Sequence, residues 1–156
     1  MRRALHRRPL LVELTWFCGL AGTLQAVATP DLTVSFQHLT FWEYVVAHVG
    51  VVVAALYLVI GLGHRPRAGS VARVFTITLV YTGGVAVADA VTGADYIFLA
   101  ARPVTWSLLS VFGPWPWYLA SAAAVALILL IALDTPFRRG RAGAAAQRLT
   151  AAPSPG

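Results

Sequence analysis

The sequence predicts an all-α, polytopic membrane helix bundle with four transmembrane helices, and three observations point there. Across 156 residues the hydrophobic fraction is 58% and the charged fraction 12%, about half the charge that dresses an average soluble domain. Apolar runs of about 20 residues, long enough to cross a hydrocarbon core of roughly 30 Å, follow one another along the chain. Every one of the twelve basic residues is arginine, and they gather in groups between those runs. Backbone groups in lipid must bond within their own segment, so each run is read as a helix.

The first helix, at about 9–28, opens on Pro9, which a first helical turn tolerates, and breaks at Thr29-Pro30-Asp31. The second, at about 40–62, meets Gly61, Gly63 and Pro66. Ser70 caps a third helix at about 70–92, which fades at Gly93. The fourth, at about 115–134, follows Gly113-Pro114-Trp115-Pro116 and stops at Asp134-Thr135-Pro136. Between the third and fourth, Val104 to Phe112 is expected as a short interfacial helix (104–112). Trp106, Trp115, Trp117 and Tyr118 would form an aromatic belt beside it. Residues 1–137 then make a single transmembrane domain, and 138–156 a basic, disordered tail that lacks the apolar content to fold.

Positive-inside counting orients the chain. Eleven of the twelve arginines lie in the N-terminal stretch, the 63–73 connection and the 138–148 segment. The 29–39 connection has none, and the 93–114 connection has only Arg102. Both termini are therefore expected on the cytoplasmic side of a multi-pass protein of the cell membrane. Arg2 to Arg8 and the Ala26-Val27-Ala28 triplet have the form of a signal peptide. Glu13 inside the run and its full crossing length favour a retained helix.

Composition also excludes function classes. Nucleic-acid binders carry arginine on a solvated, base-reading face; here the arginines punctuate apolar segments, so the expected partners are membrane lipids, with a homo-oligomer possible. The lone Cys18 excludes a disulfide framework, and four scattered histidines lack metal-ligand spacing. No metal and no cofactor is expected.

Ionisable groups inside a span are costly and mark function by default. At a rise of about 1.5 Å per residue, His48 lies about 12 Å inside the outer end of the second helix. Gln25 and Asp89 lie roughly 5 Å, and Cys18 about 15 Å, from the same boundary. Glu13 sits near the inner end, within reach of the arginines. Residues at i, i+4 and i+7 share a helix face, which groups Cys18, Gly22, Gln25 and Thr29 into one stripe and Thr78, Thr82 and Asp89 into another. Tyr44 and His48 form an i, i+4 pair. Ala47, Gly50, Ala54 and Gly61 make a small-residue stripe suited to close helix contact. If these stripes converge, they enclose a polar pocket toward the outer leaflet. There His48 would serve as general base, Cys18 as a weak nucleophile candidate at similar depth, and Gln25, Tyr44 and Asp89 as substrate-binding groups. The competing reading is structural: Thr, Gln and Tyr often act as interhelical hydrogen-bond glue of roughly 0.6 kcal/mol each.

Several ordered motifs carry a resemblance. The Gly19 to Ala26 segment, Thr29-Pro30-Asp31-Leu32, Phe41-Trp42-Glu43-Tyr44 with the His48 segment, Asp95-Tyr96 through Arg102-Pro103, and Gly113 through Tyr118 resemble YwaF-type bacterial integral membrane proteins. That family is related to animal membrane acyltransferases of the transmembrane-protein-164 kind, which move polyunsaturated acyl chains onto lysophospholipids. More distantly it is related to membrane hydrolases of hydroxy-fatty-acid esters. The resemblance implies a six-helix body, an intramembrane histidine at the position of His48, and a nucleophile on an earlier helix. The family's Leu-His-Leu-Cys-Asp type of motif has no counterpart here, and Cys18 falls where relatives carry an aromatic residue. The expectation is a truncated or short form of a lipid acyltransferase or hydrolase scaffold. The alternative is a non-catalytic membrane component, such as a small transporter or channel subunit or an accessory protein.

Overall fold

The computed structural model describes residues 9–28, 34–103 and 106–150, with side chains described as far as 143. The basic stretch before Pro9, the Thr29-Pro30-Asp31 break, Val104 with Thr105, and the last six residues lie outside the described set. Among the described residues there are helices and turns and no strand. Four helices are long and apolar enough to cross a membrane. They are α1 (Pro9–Ala28), α2 (Leu39–Leu56), α3 (Ser70–Thr92) and α4 (Trp117–Thr150). The bounds of α1 and α3 agree with those the hydropathy pattern predicts.

α2 ends in a π-helical turn, Tyr57–Gly61, whose bonds run from the Leu62 amide to the Tyr57 carbonyl (2.9 Å) and from the His64 amide to Leu58 (3.1 Å). α3 closes on Gly93, which takes the left-handed conformation (φ 71°) while its amide bonds the Asp89 carbonyl at 2.8 Å. Only glycine enters that region without a Cβ penalty, which explains why the helix stops there.

Two expectations need correction. The expected helix across 104–112 is a single 3-10 turn, Leu108–Val111. It begins only after Ser107, whose amide bonds Ser110 Oγ at 3.2 Å while the Ser110 amide bonds the Ser107 carbonyl at 2.9 Å. α4 does not stop at Asp134-Thr135-Pro136 but continues through Pro136 to Thr150, into the segment expected as a disordered tail. Asp134 explains the continuation. It is 3% exposed and binds Arg138 one turn on (2.6 Å) and Arg141 two turns on (3.0 Å). Those pairs hold the backbone helical past the proline, and the alanine-rich residues beyond are strong helix formers.

α1 is the hub, touching α2, α3 and α4, and α2 packs chiefly on it. The closest approach of α1 and α2 is at Gly19, where a Cβ would stand 3.0 Å from Val51 Cγ1 and 3.8 Å from Ala55 Cβ. The small-residue stripe of Ala47, Gly50 and Ala54 is exposed instead. The close contact is thus made by a glycine of α1 against branched and small residues of α2.

The apolar core lies toward one end. Val12, Trp16, Phe17 and Leu20 of α1 meet Ala55 of α2, Val59 of its terminal turn, Val71 and Val74 of α3, and Leu130 of α4. Trp16 donates to the Leu133 carbonyl (3.4 Å) and meets the Phe137 ring edge-on at 5.6 Å. At the same end the buried Glu13 carboxylate is held by both arginines that flank the start of α3. Arg67 Nε reaches Oε1 at 2.9 Å, Arg73 Nη2 reaches Oε1 at 2.9 Å, and Arg73 Nε reaches Oε2 at 3.2 Å. Arg67 Nη2 reaches Oε2 at 3.3 Å, and the Arg67 amide adds a fifth bond at 3.2 Å. Across the same end, Arg141 Nη1 donates to the Pro66 carbonyl at 3.1 Å, joining α4 to the α2–α3 connection.

This clamp is asymmetric. The Glu13 side chain is 1% exposed, whereas Arg67 and Arg73 are 49% and 38% exposed. Removing both guanidinium groups (Arg67→Gln with Arg73→Gln) strands a buried charge and should cost about 3–5 kcal/mol. Glu13→Gln leaves two arginines that water and headgroups still solvate, and should cost less, about 1–3 kcal/mol. Thermal unfolding in detergent should therefore fall further for the double arginine variant. A larger fall for Glu13→Gln would show that burial of the carboxylate is not what the clamp compensates.

Candidate functional site

The end of the bundle opposite the clamp is open. Three cavities adjoin there, and Leu109 of the 3-10 turn is a wall of all three. One of about 310 Å³ is lined by Gln25 and Ala26 of α1, Tyr44 and His48 of α2, and Phe98, Pro103, Ser107, Leu108 and Leu109 of the long connection. A second, of about 210 Å³, shares Gln25 and reaches Cys18, Gly22, Phe75 and Thr78. The third, of about 480 Å³, shares Phe75 and Thr78, adds Thr82, and is otherwise walled mainly by α4 alanines, Leu79 and Tyr118. Together they grade from a polar chamber beside His48 to hydrocarbon-lined space among α1, α3 and α4.

His48 is fixed by its own helix. Its ring stacks on Tyr44, with centroids 3.9 Å apart, as an i, i+4 pair allows. His48 Nδ1 lies 2.7 Å from the Tyr44 carbonyl oxygen. A carbonyl only accepts, so in the neutral ring Nδ1 carries the proton and Nε2 keeps the basic lone pair. Tyr44 is anchored in turn, since its hydroxyl donates to the Ala26 carbonyl of α1. Three of the residues expected at the site, Gln25, Tyr44 and His48, therefore do meet.

The other two do not join them. Cys18 lines the neighbouring cavity, with Sγ 3.9 Å from Thr78 Oγ1. Agreement in depth left helix rotation open, and rotation turns the thiol toward α3. Asp89 is also absent from the His48 chamber. It caps the end of α3, where Oδ1 accepts the Tyr96 amide at 3.2 Å.

The chamber contains one residue that sequence reasoning missed. Ser107 is 8% exposed, and among the described residues its buried hydroxyl proton has no acceptor. A serine in a long connection, 59 positions after His48 in the numbering of the chain, gives no local signal. Only tertiary structure brings it to the imidazole's cavity.

The connection that carries Phe98, Pro103 and Ser107 is tethered at several points. Asp95 accepts the Ala100 amide (3.1 Å) and the Ala101 amide (2.9 Å). Trp115 Nε1 donates to the Leu99 carbonyl at 3.2 Å, and Arg102 Nη1 to the Ser110 carbonyl at 3.2 Å. Tyr118, expected in an exposed aromatic belt, is 1% exposed. Its hydroxyl donates to the Phe98 carbonyl at 2.6 Å, so the tyrosine is a peg between α4 and the connection. Trp106, Trp115 and Trp117 do remain exposed, joined by Trp42.

The Ala100 amide above all, opposed by desolvation and helped by the Ala101 and Leu99 amides, holds the Asp95 carboxyl below its usual range. A depressed carboxyl stabilises the fold fully above its unfolded pKa of about 3.9 and loses that contribution as pH falls through the folded value. The protection of the Ala100 and Ala101 amides against hydrogen exchange, taken relative to the intrinsic rate at each pH, should therefore be full at neutral pH and fall once the pH drops below about 4. Asp95→Asn should remove most of that pH dependence. Persistent pH dependence in the variant would assign the transition to another group.

A family model described as the TMEM164 family matches residues 4–134. No curated protein and no solved structure matches the chain. The family match runs through all four apolar segments and the whole His48 chamber, and this multi-pass membrane protein belongs to the TMEM164 family.

Proposed function

We propose that the chain carries a lipid acyl-transfer or ester-hydrolysis site of the kind its resemblance to membrane acyltransferases implies, with His48 as general base. The observation that carries this reading is the imidazole itself. It sits inside a membrane span, is held in one tautomer by the Tyr44 carbonyl, and lines a chamber that opens into apolar space. Nε2 takes the proton of an attacking hydroxyl, from water or an acceptor lipid, as that oxygen bonds to the ester carbonyl carbon. The proton then passes to the departing alcohol oxygen as the original ester bond breaks. The Ser107 hydroxyl, which has no acceptor among the described residues, donates to the carbonyl oxygen as negative charge builds there. The acyl chain lies past Leu109 in the cavities among α1, α3 and α4. Cys18, turned toward Thr78, takes no part.

The test is acyl transfer and ester hydrolysis by the full chain in nanodiscs, with a lysophospholipid acceptor. His48→Ala should lower the rate on the order of 10² to 10⁴-fold, and Ser107→Ala about 10²-fold. Cys18→Ala should leave it unchanged. Wild-type activity in His48→Ala would refute the base assignment. Solute flux in proteoliposomes, with no acyl transfer by any variant, would favour the non-catalytic transport reading.

A further inference from the structure

We infer that the cleft between α3 and α4 at the clamp end is a binding site for an anionic phospholipid, separate from the His48 chamber. The cleft has a volume of about 480 Å³ and is lined by Gly69, Val71, Ala72, Phe75 and Thr76 on α3's side. Leu127, Ile131, Asp134, Arg138 and Arg141 line it on α4's side. Its two halves differ in chemistry. Phe75 and Leu127, which pack against the core, and the exposed Ile131 form an apolar wall, whereas the arginines stand at the mouth.

Three features select a phosphate there. First, α3 starts after Gly69, held at φ 75°, with no side-chain cap and no acidic residue in its first turn. The Ser70 amide bonds Arg67 and the Arg73 amide bonds Gly69. Among the described residues the Val71 and Ala72 amides have no acceptor, and both residues line the cleft. Helix-start amides of this kind bind anions. Second, Arg138 reaches Asp134 through Nε at 2.6 Å, which leaves its η nitrogens to donate to a ligand. Third, charge at this end is unbalanced. Among the described residues, the ion pairs at this end join Arg67 and Arg73 to Glu13 and Arg138 and Arg141 to Asp134, while Arg65 and Arg139 add further positive charge. A zwitterionic headgroup would bring its own cation into that surplus, so an anionic one is favoured. The apolar wall argues for a lipid, because a free phosphate would leave it uncovered.

The experiment is native mass spectrometry of the full chain, exchanged into mixed micelles holding equal phosphatidylglycerol and phosphatidylcholine. The wild type should retain phosphatidylglycerol preferentially, and excess inorganic phosphate should not displace it. Arg138→Gln with Arg141→Gln should cut that preference on the order of ten-fold, while Arg139→Gln, outside the cleft, should keep it. Thr76→Trp fills the cleft without touching an ion pair and should also abolish the preference, a check independent of Asp134 losing its partners. Equal retention of the two lipids, an Arg139→Gln loss as large as that of the arginine pair, or displacement by inorganic phosphate would each overturn the site. Because these readouts involve no acyl chemistry, they fail or succeed independently of His48.

Discussion

The burial of one carboxylate shapes this bundle. Glu13 lies inside α1, where an unpaired charge is intolerable in lipid, and its five bonds all go to Arg67 and Arg73. Those arginines belong to the α2–α3 connection and the first turn of α3. The charge can be satisfied only if the connection and the start of α3 both converge on α1 at that end. Asp134 repeats the arrangement on α4, where Arg141 bonds both the carboxylate and the Pro66 carbonyl. Convergence at the clamp packs the core there. Toward the other end, α4 offers mostly alanines to α3, too small to close the space, and the connection before α4 folds in only as far as Leu109. The cavities are the geometric remainder of a bundle fastened at one end.

Much of this was legible in the sequence, because hydropathy over 20 residues is a strong and local signal. α1 and α3 begin and end where proline, serine and glycine say they should. The π-helical end of α2 and the extension of α4 were not legible. Asp134-Thr135-Pro136 reads locally as a stop, and only ion pairs formed within the folded bundle override it. Glu13 was readable as lying near the arginines, but its complete burial depends on how α1 sits among three neighbours. The same holds for Tyr118, whose composition suits an exposed belt and whose hydroxyl instead pins the Phe98 carbonyl.

The site shows the boundary more sharply. Periodicity put Tyr44 and His48 on one helix face, where their rings stack, and Gln25 lines the same chamber. Periodicity could not supply the rotation of one helix against another. Cys18 and His48, similar in depth, therefore open on different cavities. Ser107 had no pattern to betray it; it reaches the chamber only because Asp95, Trp115 and Tyr118 fold the connection inward.

This division of labour bears on the chemistry. The Tyr44 carbonyl that fixes the imidazole is also the acceptor four residues back along α2, and a carbonyl oxygen has lone pairs for both donors. The tautomer of His48 is thus determined within one helical turn, independent of how the remaining helices pack. The chamber's far wall is not. Phe98, Pro103 and Ser107 come from a connection held by Asp95, the Trp115 indole, the Tyr118 hydroxyl and Arg102, all of which can release without unfolding a helix. An imidazole built into a helix faces a wall built on tethers, and on the proposed reading that contrast would let the chamber widen for a lipid entering from the bilayer while Nε2 stays in place.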